Sequence, residues 1–230
     1  MALCFAQVIA APAPAAPFVN LDFEQAQVQP INPNFIVAAT GMPGWTPRIG
    51  GVQIANLDYN SIGIGLPAVS LFDREDTQLG LPIPQGLFYA ALSSGITLEA
   101  EASMEQRGDI PADARSLHLM AQAFESRPMI VLQDQTLPLV QLSPPFPGNG
   151  WRWAIFGCDI SAFAGVEDAF LKITTGPRGG GAFDDIRFSA TQVPEPWANV
   201  LVLISAVVLA RRRANQGGDF ESDAFICGVR

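Results

Sequence analysis

Along the middle of the chain, apolar and polar residues trade places in short runs. The clearest are Ile96-Thr97-Leu98-Glu99-Ala100-Glu101-Ala102 and Leu117-His118-Leu119-Met120-Ala121-Gln122-Ala123. Successive side chains of a β-strand point to opposite faces, so each run would turn small and aliphatic residues inward and polar ones toward solvent or a ligand face. Helical periodicity is absent from both. Similar runs recur between Gly, Pro, Asn and Asp residues, which predicts strands over 18–24, 68–72, 86–92, 95–103, 116–124, 129–133, 137–142, 151–158, 169–174 and 182–189. Many short strands with turn residues between them predict an all-β sandwich or barrel. Residues 25–60 read as loops with one or two irregular strands. Pro128, Pro138 and the stretch Pro144-Pro145-Phe146-Pro147 lack the ladder donor and belong at edges or in loops.

Composition narrows this picture. The 230 residues include 21 Gly and 19 Pro, and only 15% are charged, a balance that favours strands and turns over helices. The length allows one full domain, placed at 18–190, once the two ends are set aside. A net charge of −9 with one lysine, Lys172, leaves no basic stripe for phosphates, so nucleic acid is excluded as a partner. Cys4, Cys158 and Cys227 sit in three unlike segments and form neither a metal spacing nor a disulfide framework. Cys158 reads as a buried small apolar residue.

The ends have their own grammar. Residues 1–17 join an apolar run, Leu3 to Ala10, to Ala-Pro repeats, as in the later part of a secretory signal whose basic start lies further upstream; a plain Ala-Pro arm is the alternative. At the other end Val193-Pro194-Glu195-Pro196-Trp197 precedes an uncharged apolar run to Ala210 and then Arg211-Arg212-Arg213. This order resembles the PEP-CTERM sorting signal of exported Gram-negative proteins: a Pro-Glu-Pro motif, a hydrophobic helix and a basic cluster. The resemblance implies export, membrane association over 191–213, and a sorting transpeptidase, the exosortase, as partner. Physically, Pro194 and Pro196 end any preceding element, so a helix starts afresh after them. Arg211, Arg212 and Arg213 would stay cytoplasmic and leave the domain outside. Residues 197–210 reach only ~21 Å as a helix against a hydrocarbon core of ~30 Å, so a buried core helix remains the competing reading. Residues 214–230 continue beyond the basic cluster, where such signals usually stop, and are expected to be a disordered tail.

A second resemblance rests on Asn20-Leu21-Asp22-Phe23-Glu24, Met42-Pro43-Gly44-Trp45, Ile160-Ser161-Ala162-Phe163-Ala164-Gly165 and Ala182-Phe183-Asp184-Asp185-Ile186. Together they are similar to the jelly-roll, galactose-binding-like modules common among exported and carbohydrate-binding proteins. That likeness implies pairing of the first and last strands and a structural Ca²⁺ held by Glu24 with Asp184 or Asp185. The same carboxylates also read as a solvated acidic edge that resists strand-to-strand aggregation. Trp151 and Trp153 share a strand face, as a sugar-stacking platform requires, but inward core tryptophans have the same spacing and core packing is preferred. Tyr59 is a further stacking candidate, and Trp45 reads as a loop anchor.

Signals for catalysis are poor. His118, the one histidine, alternates with leucines in a strand and has no nucleophile in a recognisable setting. Glu99, Glu101 and Glu105 cluster, yet solvent-facing strand charges explain them. The glycine-rich stretch 176–181 lacks the Lys-Ser/Thr ending of a phosphate loop. The expectation is therefore a non-catalytic, exported, envelope-anchored surface or matrix protein with weak polysaccharide binding. The alternative is an extracellular polysaccharide hydrolase whose carboxylates the sequence does not place.

Overall fold

The computed structural model describes residues 16–61, 65–73, 86–96, 100–122, 128–146, 152–176 and 179–193. The chain divides at Val193/Pro194. The sorting residues Pro194, Glu195 and Pro196, the arginines 211–213, the tail 214–230, Trp151 and Glu99 lie outside the described residues, as does nearly all of the leader.

Among the described residues fifteen strands form two sheets. The first five are short: β1 (Pro30–Asn32), β2 (Phe35–Val37), β3 (Thr46–Ile49), β4 (Val52–Gln53) and β5 (Asn56–Tyr59). The rest are β6 (Pro67–Asp73), β7 (Phe88–Ser94), β8 (Ala102–Gly108), β9 (Ser116–Gln122), the short β10 (Met129–Leu132), β11 (Gln135–Leu137) and β12 (Val140–Gln141), and then β13 (Trp153–Asp159), β14 (Ala169–Thr174) and β15 (Gly180–Ser189). One sheet runs β1-β2-β5-β6-β7-β15-β9-β13-β12 and the other β11-β10-β14-β8-β3-β4. Every neighbouring pair is antiparallel except β5 and β6. The only α-helical segment among the described residues is one turn, Ala38–Gly41, and none of their helices is long and apolar enough to cross a membrane.

The protein is a β-sandwich, and alternation explains its core. Val69, Leu71, Ala90, Leu92, Leu117, Leu119, Phe156 and Phe183 from the first sheet meet Met104, Ile130, Leu132, Leu171 and Ile173 from the second. Cys158 is fully buried in this layer; burial pushes its thiol up to about 12, which keeps it protonated and inert.

Several expected strands change on folding. Residues 18–24 are turns, with Asn20 and Phe23 at positive φ (50° and 60°), although Phe18, Phe23 and Leu21 still pack on the core. Asn20 drives this: its Oδ1 accepts from the Gln25 amide, its Nδ2 donates to the Pro43 carbonyl, and its own carbonyl accepts from Trp45 Nε1. Local side-chain bonds of this kind outcompete a ladder. Trp45 is buried against Phe23 and anchors the loop. The strand expected over 95–103 begins at Ala102 instead. Gly95, at φ 71°, lies where a Cβ would come within 2.7 Å of the Leu66 carbonyl carbon, so the chain turns there. The run expected over 137–142 splits at Pro138 into β11 and β12, which belong to different sheets. Residues 25–60 hold five strands rather than one or two.

The expected pairing of first and last strands is not found, since residues 18–24 form no strand and β15 pairs with β7 and β9, but the two ends of the domain touch. The Ile186 amide donates to the Leu21 carbonyl at 3.0 Å, beside a register break in β15 between Asp184 and Arg187. Asp185, at φ 48°, sits in this bulge.

Candidate functional site

Strand register places two rows of side chains on the face of the nine-stranded sheet that points away from the core. Cα pairing sets Ser70 opposite Ala91, Ala91 opposite Ala182, and Gln122 opposite Trp153; Ala182 falls beside Gln122, whose Oε1 accepts from the Ala182 amide. The adjacent row runs Phe72, Tyr89, Asp184, Met120 and Ile155. Side chains directly opposite one another lie roughly 5 Å apart, so the small Ser70, Ala91 and Ala182 lie between the large Phe72 and Tyr89 of the adjacent row on one side and the small Ala68, Ser93 and Gly180 on the other.

The large ones form a cluster of their own. Phe72 stacks on Tyr89 with ring centroids 5.0 Å apart, and Tyr89 meets Trp153 edge-on at 5.5 Å. Met120 and Ala182 complete the group. The polar face expected of β9 is thus largely buried: Gln122 is 3% exposed and Met120 7%. Trp153 is 2% exposed, and the open platform considered for it is not present; it is packed, but on the outer face rather than between the sheets.

Three polar atoms on this face are buried without a hydrogen-bond partner: Gln122 Nε2, Trp153 Nε1 and Asp184 Oδ2. Such groups cost roughly 1–3 kcal/mol each, so a native fold that keeps three of them together invites a functional explanation. Asp184 is the most perturbed. Burial pushes its carboxyl up to about 8; the Asp185 amide, donating to Oδ1 at 2.6 Å, works against this, and the charges of Asp185, Glu24 and Asp22 add to it. At neutral pH Asp184 therefore holds its proton.

The predicted metal residues share this neighbourhood, each with its own engagement. Glu24 Oε1 accepts from the Leu87 and Phe88 amides at 2.8 and 3.0 Å, tying the turn of residues 20–24 to the start of β7. Asp185 forms a 3.2 Å ion pair with Arg187 that lacks hydrogen-bonding geometry, and burial raises its carboxyl despite that arginine. Among the described residues no three His, Cys, Asp or Glu side chains gather closely enough to hold a metal ion by themselves.

The other chemical candidates separate. His118 hydrogen-bonds Ser116 Oγ at 2.9 Å on the outer face, and burial, with Arg187 beside it, lowers its pKa. Cys158 points into the core, so the two do not meet. Glu101 pairs with Lys172 and accepts from Thr174 Oγ1, and Glu105 pairs with Arg48 at 2.7 Å; these are cross-strand ties. Tyr59 donates its hydroxyl to Asp73 rather than stacking openly.

No protein-family model matches the chain, and no curated protein sequence matches it. Solved structures with a similar course of the backbone include the Stig cyclase Fisc from Fischerella sp. TAU in complex with (3Z)-3-(1-methyl-2-pyrrolidinylidene)-3H-indole. It has 12% identity and a TM-score of 0.47, and the match covers 76% of this chain and 96% of that one. The enzymatically active domain of bacteriophage CBA120 tailspike protein 4 has 14% identity and a TM-score of 0.35 over 64% of this chain and 19% of that one. The carbohydrate-binding module TmCBM27, which recognises mannan, has 15% identity and a TM-score of 0.27 over 44% and 72%.

Sequence reasoning missed Phe72, Tyr89 and Gln122. Phe72 and Tyr89 stand at strand ends flanking residues 74–87, and that position was the signal available for them.

Proposed function

We propose that the chain is an exported, envelope-anchored surface protein whose sandwich binds carbohydrate on the outer face of the nine-stranded sheet. The order of Pro194-Glu195-Pro196, apolar run and Arg211-Arg212-Arg213 supports the sorting part, with exosortase and membrane as partners. The binding part rests on one observation: two unpartnered N–H donors and one unpartnered carboxyl oxygen lie beside the Phe72, Tyr89 and Trp153 rings. Aromatic faces receive the C–H side of a sugar ring, while Trp153 Nε1, Gln122 Nε2 and Asp184 offer what its hydroxyls need. Because these groups are buried, the face must open before a sugar reaches them, and association is slow.

A structural Ca²⁺ belongs to the same reading. Asp184 and Glu24, with backbone oxygens of the turn of residues 20–24, would hold it, and the ion would supply charge that lets Asp184 ionise. A hydrolase is the second reading, favoured by one feature: Asp184 keeps its proton near other carboxylates, as a general acid does.

The test pairs a polysaccharide pull-down using the full chain with a reducing-sugar assay. Binding that drops about tenfold in Trp153→Ala, without turnover, supports the surface-binding reading. Turnover lost in Asp184→Asn supports the hydrolase. In parallel, fractionation of tagged protein should move from membrane to soluble fractions when residues 193–230 are deleted; an unchanged distribution removes the sorting reading.

A further inference from the structure

Away from the outer-face cluster, residues of β2, β3, β5 and β6 and their connections line a cavity of about 380 Å³. Its wall includes Phe35, Leu66 and Pro67, and its polar groups include Asn34, Asn56 and Asp58. The volume lies at the small end of ligand pockets, enough for about one sugar ring.

Asp58 is the informative residue. It faces Phe35 across the β2–β5 pair and Ser70 across the parallel β5–β6 pair, and among the described residues its side chain makes no hydrogen bond or ion pair. Burial raises its carboxyl, and no opposing charge offsets that. The side chains of Asn34 and Asn56 are likewise in no hydrogen bond. Arg48, on β3 nearby in the chain order, is spent on Glu105 and on the Gly51 carbonyl. Asp58 is half-buried, whereas Asn34 and Asn56 stand exposed at the cavity's mouth, so a carboxyl without a partner among the described residues lies between two amides open to a ligand and the exposed Phe35 ring.

We infer that this cavity is a second binding site, taking a compact hydroxylated ring that carries a free ammonium group, of the amino-sugar class. The ammonium would sit on the Asp58 carboxylate, the ring hydroxyls on the Asn34 and Asn56 amides, and the apolar ring face on Phe35. One carboxylate and two neutral amides match a single positive charge. A divalent cation wants more anionic oxygens than this cavity holds. A net charge of −9 also draws cationic ligands toward the molecule.

The assay is isothermal titration of the full-length protein with glucosamine oligomers and with N-acetylated oligomers of the same length, for the wild type and Asp58→Asn. The wild type should prefer the free amine by about tenfold, and Asp58→Asn, which keeps shape and removes charge, should bind both alike. A thermal melt of Asp58→Asn at or above the wild type shows that the variant is folded. Equal binding of both oligomers by the wild type overturns the site, as does a preference that survives in Asp58→Asn.

Discussion

Replacing Asp184 with Asn should flatten the dependence of stability on pH. In the unfolded chain this carboxyl ionises near its ordinary value of 3.8, whereas in the fold burial holds the proton up to about 8. Between those limits the native state binds the extra proton, so stability is full below the unfolded pKa and is lost as pH rises through the folded one. At 1.36 kcal/mol per pH unit the loss amounts to about 4 kcal/mol by pH 7 and roughly 6 kcal/mol above pH 8. These figures are ceilings, because water admitted to the site lowers the cost of charging it. Urea unfolding of the full chain at pH 4.5, 6, 7 and 8.5 gives the wild-type slope. Asp58, Asp185 and His118 contribute to that slope in both proteins, so the difference between wild type and Asp184→Asn isolates Asp184. Parallel curves would refute the reasoning. Millimolar calcium should flatten the wild-type curve and leave Asp184→Asn unmoved; a curve indifferent to calcium removes the ion from this corner.

Two further perturbations probe neighbouring features. Trp153→Phe deletes a buried N–H that has no partner while keeping most of the ring, so the urea midpoint should hold or rise by the equivalent of about 1 kcal/mol; a fall of more than ~2 kcal/mol would mean the indole nitrogen is satisfied. Gly86→Ala places a methyl 2.2 Å from Glu24 Oε1 at a φ of 69°, and should break the two amide bonds to Glu24 at a cost of roughly 1–3 kcal/mol, read by the same denaturation; an unchanged midpoint would show that the turn of residues 20–24 is not tied to β7.

How far the sequence reached depends on where the determining contacts lie. Strands such as β6, β9, β14 and β15 were legible because each carries its pattern within six to ten consecutive residues. The run of residues 18–24 was not, since its alternation is real but the bonds of Asn20 to Gln25, Pro43 and Trp45 decide its shape, and two of those partners are distant in sequence. The nearness of Asp22, Glu24 and Asp184 followed from the expected meeting of the two ends. The aromatic cluster did not, because Phe72, Tyr89 and Trp153 come from three strands whose order, β6-β7-β15-β9-β13, no local pattern encodes.

The last strand among the described residues, β15, is an inner one, lying between β7 and β9. Until residues 180–189 are available, β7 and β9 have no neighbour between them, and the nine-stranded sheet exists only as two fragments with bare inner edges. The pairing of β15 with β7 and β9 joins strands far apart in sequence, contacts of the long-range kind that form slowly, so the sheet closes only when its final strand is in place. The element made last is thus the seam that joins the two halves of the larger sheet.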